Sequence, residues 1–395
     1  MARTNLSLRD RLRLFAVTTA VFALVIFNLG SIAKADTHLE TANKAVKTAA
    51  ELLESDNYYD RILGAGTLSD IGSLTALEVL EEFATGPDIV YQRSAIDTLI
   101  GVRHPNGIDL IYRLAADHQM FTQFLVQSLA TNPRDDMSEF LLAVLQEGTS
   151  DVQRYAMQAL VHMQDTTNAI DVVKSVVESP TTEPTTKAYG YYFLARRGYA
   201  SEIADQMLIL AARGDLYQRE VVAVALKYLE TDRAYEALTI LQKSEDPRVS
   251  LAALASIAAR GEKKYVNELI NVISRGKELN AEVGASALRR LPPELAHQLS
   301  IELFALKIRP VPGARLLEAW RGIDWDPSEI YEWGLAHDDL DVKLQTLWLM
   351  GERKERSKIA LLAGYLDDEN PRIRGMAAWA IIRISPESFN TGTKV

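Results

Sequence analysis

No cysteine occurs in the 395 residues, which removes disulfides, thiolate metal sites and a cysteine nucleophile together. Such a chain suits an oxidising compartment especially well. Histidine is scarce: His38, His104, His118, His162, His297 and His337 never fall three or four residues apart, so a helical zinc site of the H-E-x-x-H kind is excluded. There is no G-x-S-x-G, no Walker loop and no dinucleotide fingerprint, and neither a catalytic residue nor a cofactor is expected. No segment alternates β-branched and polar residues as a strand does. A block of lysine and arginine is missing too. The 43 basic and 53 acidic residues leave a net charge of −10, which argues against general binding to nucleic acid and points to a basic or neutral partner.

What is present begins with an address. Arg3, Arg9, Arg11 and Arg13 precede an uncharged apolar run, and Ala33 and Ala35 stand at −3 and −1 of a cleavage site before Asp36. The alternative is an uncleaved anchor, because Leu14 to Ala33 is long enough to cross a bilayer. Both readings keep the arginines inside and export the rest, to a periplasm and either soluble or tethered to the inner membrane. The expected division is therefore 1–35 as signal peptide or transmembrane anchor, 36–385 as the folded body and 386–395 as a tail. Without 1–35 the chain has 38 basic and 52 acidic residues, a net charge of −14.

The body repeats itself. In "DENPRIRGMAAWAI" take Arg374 as position 0; small Ala377 follows at +3 and Ile381 at +7, on one face of a helix. The same face recurs from Arg61, Gln92, Thr122, Gln153, Lys187, Arg219, Ser250, Ala281, Gly313 and Lys343, about 31 residues apart. A second amphipathic segment lies between successive copies, for example "LTALEVLEEFA" and "KKYVNELINVIS". Asp88, Asp215, Asp246, Asp339 and Asn370 sit four residues before position 0, where they would cap a helix start. A helix pair of this kind cannot bury its apolar face alone, so neighbours must stack around one continuous core.

The pattern of acidic turn, [VI]-[RKQ]-x-x-[A/G]-x-x-x-[LI], resembles HEAT repeats, in particular the short HEAT-like type of the phycobilisome lyases. The resemblance implies an all-α fold, a right-handed α-solenoid of about eleven helix pairs, over nearly all of residues 38 to 385. It also implies that the second helix of each pair lines the concave side, with Arg61, Arg219, Lys343 and Arg374 forming a ladder with the turn acids. Solenoids of this kind serve mostly as scaffolds. The expected function is a non-catalytic, exported adaptor that binds another protein or peptide. Two alternatives stay open: a lyase-like enzyme acting on a tetrapyrrole, and a membrane-tethered structural subunit of an envelope complex. No "HE" dipeptide occurs, so the iron-binding deoxyhypusine hydroxylase activity found in one HEAT-like class is not implied.

On the helical wheel, positions +5 and +9 point away from the 0, +3, +7 face. Position +5 is Asp97, Gln127 and Gln158 in early copies and Tyr192, Trp348 and Trp379 later; position +9 includes His162, Arg196, Tyr228, Arg290 and Arg383. Aromatic and arginine side chains on an inner face are the composition of binding hot spots. Tyr192, Arg196, Tyr228, Trp348, Trp379 and Arg383 are accordingly the candidate partner-binding residues, with Arg383 as an anion anchor. The competing reading has the tail "SPESFNTGTKV" covering the two tryptophans as a cap.

Overall fold

The computed structural model describes residues 39–386 except 164, 165, 167 and 307, so the apolar run of Leu14 to Ala33 and nearly all of the tail lie outside the described residues. Among the described residues there is no strand, and no helix is long and apolar enough to cross a membrane. A first helix, α1 (39–53), pairs with α2 (Tyr58–Ser69), and ten further pairs follow. The second helices are α4 (Ile89–Gly101), α6 (Gln119–Thr131), α8 (Ser150–His162), α10 (Pro184–Leu194), α12 (Leu216–Ala225), α14 (Pro247–Ala258), α16 (Glu278–Ser286), α18 (Pro310–Ala319), α20 (Leu340–Glu352) and α22 (Pro371–Ile384). Each contains one of the eleven position 0 residues. The odd-numbered helices α3 to α21 lie between them, and α19 (Ser328–Ala336) is one that the amphipathic pattern had not marked. The fold is an α-solenoid of HEAT-like helix pairs.

The repeated face explains the stacking. Ala95, Ala156, Ala253 and Ala377 at +3 have no exposed surface, and Leu99, Leu160, Ile257 and Leu288 at +7 are equally buried. Small residues at +3 let the first helix of the pair approach closely; a Cβ on Gly190 would come within 2.3 Å of Val177 Cγ1. The helix starts are capped as the sequence implied. Asp88, Asp246, Asp339 and Asn370 accept main-chain N–H bonds two or three residues on, and Asp215 forms a reciprocal capping box with Gln218.

The expected ladder between position 0 cations and turn acids does not form. Arg374 donates instead to the main-chain oxygens of Asp368 and Glu369. Gln92, Thr122, Gln153 and Ser250 likewise bond carbonyls at the end of the preceding helix or the turn, those of Gly86, Ala115, Leu145 and Gln242. Arg61 stacks on Phe83, and Arg219 buries its Nε without a partner. In the five carbonyl-bonded copies position 0 ties the turn to its helix pair through free helix-end carbonyls, which a neutral amide or hydroxyl serves as well as a cation.

The second helices pack in chain order, α2 on α4 and onward to α20 on α22, and α22 then packs on α2. The solenoid thus closes on itself. Its seam has an apolar part, where a Cβ on Gly375 would sit 2.5 Å from Leu52 Cδ1 and 2.7 Å from Leu63 Cδ2. It also has an ionic part. Lys44 pairs with Asp367 at the surface, whereas Arg383 reaches Asp70 at 3.3 Å, Glu352 at 3.0 Å and the carbonyl of Gly101 at 3.1 Å with all three side chains less than 10% exposed.

Candidate functional site

Closure puts the second helices around an interior, and two spaces there share part of their lining. The larger is a cavity of about 690 Å³, the smaller a cleft of about 230 Å³, and Asn132, Arg321 and Trp348 border both. Arg321 donates to Asn132 Oδ1 at 2.9 Å from the far side of the ring and also pairs with Glu352 at 2.9 Å. This strut crosses the interior from the ninth repeat to the third.

Irregular helix ends deliver most of the cavity's charges. After α10 the chain takes a widened turn, Ala195–Tyr199, that ends with Gly198 at φ +92°, a left-handed conformation open to glycine. The ends of α12, α16 and α18 tighten instead into 3₁₀ turns, Leu226–Tyr228, Ala287–Arg290 and Trp320–Gly322. Arg196, Lys227, Tyr228, Arg289, Arg290 and Arg321 all lie in these four turns and all line the cavity. The neighbouring Arg197 serves the fold: it donates to the carbonyls of Leu160 and Met163 and to Thr166 in the preceding repeat. Arg260 and Arg353 do the same toward Leu229 and toward Trp320 and Ile323, so an arginine near +10 commonly neutralises the negative end of the helix before it.

One wall of the cavity is an aromatic row. His162 meets Tyr192 edge-on with centroids 6.1 Å apart, and Tyr192 lies 6.3 Å from Tyr228, so three consecutive second helices each contribute one ring. Trp348 stands across the cavity beneath the Arg321 guanidinium at 5.8 Å. Burial, followed by repulsion from Arg289 and Arg196, lowers the His162 pKa to about 3, which keeps the imidazole neutral. Burial and then Arg290 and Arg196 lower Lys227 to about 8, while its ammonium donates to the carbonyl of Arg290 at 2.9 Å. Arg289 is open to the cavity, yet crowding by the surrounding wall and then Arg290 lower its pKa too.

Tyr192, Arg196, Tyr228 and Trp348 are thus brought together around the larger cavity, and Trp379 lines the smaller cleft with Trp348. Arg383 is not with them. It is buried in the seam and engaged by Asp70, Glu352 and Gly101, so the open anion anchor expected there is replaced by a closing bolt. Sequence reasoning missed Lys227, Arg289 and Arg321. All three occupy position +8 of their repeats, beside +5 and +9 on the wheel, and that shared offset was the available signal. Among the described residues no group of three or more histidines and carboxylates could hold a metal ion.

No family model matches the chain, and no curated protein matches it. Solved structures do. A chain from the complex in which Kap95p binding induces the switch loops of RanGDP to adopt the GTP-bound conformation aligns at 14% identity and TM-score 0.31, over 91% of this chain and 53% of that one. The present chain therefore spans about half the length of that protein. A second, from work on tubulin recruitment by microtubule polymerases with tumor overexpressed gene domain arrays, aligns at 10% identity and TM-score 0.25, covering 87% and 97% of the two chains.

Proposed function

We propose that this protein is an exported, non-catalytic adaptor that holds a segment of another protein inside its closed ring. The observation that carries the reading is the aromatic row of His162, Tyr192 and Tyr228 facing Trp348 across a cavity of about 690 Å³. Large rings with few rotatable bonds lose little entropy on binding and give broad contact area, which is what an extended peptide needs from a groove. Export follows from the arginine-rich start, the apolar run and the small residues before Asp36.

The test is positional. A photo-crosslinking residue placed at Tyr228, inside the ring, should capture a defined partner in the envelope, whereas the same residue at exposed Ile240 should not. Crosslinks at position 240 with none at 228 would move the binding surface to the outside and end this reading.

A further inference from the structure

Four cations share the larger cavity without carboxylates bound to them. Arg196 gives its guanidinium to the carbonyl of Val161, and Lys227 its ammonium to that of Arg290. Arg289 and Arg290 make no side-chain hydrogen bond or ion pair with any described residue. The carboxylates facing the same space are Asp135 and Glu318, and Glu318 is taken by Arg315 at 2.8 Å. Arg321 is likewise neutralised by Glu352. Burial, and then repulsion from the neighbouring arginines, lowers the pKa of Lys227 and of Arg289, with Glu318 opposing the shift at Arg289. A chain with 53 acidic residues has ample carboxylates to answer them, yet only Asp135 and Glu318 border this cavity.

We infer that the segment held in the ring is acidic: Arg196, Lys227, Arg289 and Arg290 receive successive carboxylates of an extended peptide, beside the Tyr192 and Tyr228 rings. The inference rests on the adaptor reading and specifies its partner. The cations gather around His162, whose imidazole all four repel, and Lys227 reaches the Arg290 carbonyl at 2.9 Å. A cavity of about 690 Å³ walled by the Tyr192 and Tyr228 rings has room beside them for a side-chain-bearing segment, where one compact oxyanion would leave the aromatic wall unused. Guanidinium groups take carboxylates in a forked pair of hydrogen bonds, and such charge-assisted bonds gain strength where water is thinned.

The experiment titrates the purified full chain with hexaglutamate, inorganic pyrophosphate and hexalysine at low ionic strength, reading heat of binding and melting temperature. Hexaglutamate should bind and raise the melting temperature, and hexalysine should do neither. In Arg289→Gln/Arg290→Gln the hexaglutamate affinity should fall about tenfold or more, the loss expected for a charge-assisted bond. The unliganded double variant should melt above the parent, because a source of repulsion has been removed. Lys227→Gln is the second probe should the double variant fold poorly, with the same two expectations. Absence of hexaglutamate binding, or binding undiminished in the variants, would overturn the inference. So would a response to pyrophosphate alone, which would make the cavity a small-anion site. If hexaglutamate fails while crosslinking at position 228 still captures a partner, the acidic chemistry is wrong and the adaptor reading survives.

Discussion

Replacing Arg383 by methionine tests whether the ring is closed by the contacts that join its ends. The variant keeps the length and apolar stem of the side chain but leaves Asp70 and Glu352, 5% and 9% exposed, without their shared cation. Breaking a buried pair by removing one partner costs about 3 to 5 kcal/mol, much of it the penalty of an unanswered charge. Glu352 retains Arg321 at 2.9 Å, so the burden falls on Asp70, whose remaining donor is the main-chain N–H of Arg103 at 2.7 Å. Burial already raises the Asp70 pKa, and Arg383 is the largest influence opposing it. A carboxylate with a raised folded pKa favours the folded state below its unfolded pKa and loses that contribution as pH rises through the folded value. The deficit of Arg383→Met should therefore be largest near neutral pH and shrink on acidification, and Asp70→Asn in the same chain should recover part of it. Urea unfolding would measure the loss, and hydrogen exchange would locate it in α1, α2 and α22, with α12 to α14 unchanged. A variant as stable as the parent, or one whose exchange rises evenly around the ring, would refute the seam as described.

Other consequences can be measured separately. Ala253→Leu or Ala377→Leu, at +3 sites without exposed surface, should overpack the stack and cost about 1 to 3 kcal/mol, while half-buried Gln158→Leu should cost little; equal urea midpoints for the three would show the register to be wrong. Lys227, with a folded pKa of about 8 against 10.5 unperturbed, should make the unliganded chain gain stability as pH rises from about 8 toward 10, and Lys227→Met should abolish that gain in a pH series of thermal melts. A fusion of residues 1 to 40 to a reporter active only outside the cytoplasm should be active, and N-terminal sequencing should begin at Asp36 if the signal is cleaved; a reporter silent outside would sink the export reading. Trp348→Ala and Trp379→Ala should each weaken partner capture by about 2 kcal/mol if the cleft they share contributes to binding.

The repeat was legible because it is local. Positions 0, +3 and +7 are set within two turns of one helix, and the caps at −4 concern only the adjacent N–H groups, so each of the eleven copies carried its own signal. The helix α19, "SEIYEWGLA", escaped because its buried face is Ile330, Tyr331 and Gly334, so a glycine stands where the spacing calls for a third apolar side chain. Closure was not legible, because it depends on a small rotation per repeat summed over the whole chain, and no residue encodes that sum. One trace of it was available. Asp70 and Arg383 both occupy position +9, in the first and last repeats, with opposite charge. A solenoid whose ends point into solvent gives no reason for that match, whereas a ring needs it.

Closure also sets the proposed acidic partner apart from the one that total charge points to. A net charge of −10 describes the surface a distant molecule meets, and from it a basic or neutral partner follows. In an open solenoid the cations of repeats five, six and eight would look onto solvent and be screened beyond about one Debye length. In the ring they look onto one another, with Arg315 and Arg321 behind them, so six cations and two carboxylates border one cavity of an acidic protein. The outer and inner surfaces then select opposite partners. An acidic segment approaching from outside is repelled until it enters the interior, where the local field reverses and the aromatic row can hold it. Entry through the open ends of the ring is therefore favoured over contact with the outer helices, and association should be slowed by the outer charge while the bound state is held by the inner one. Raising ionic strength should accordingly speed association and speed release together, a pairing opposite in its first half to ordinary electrostatic steering.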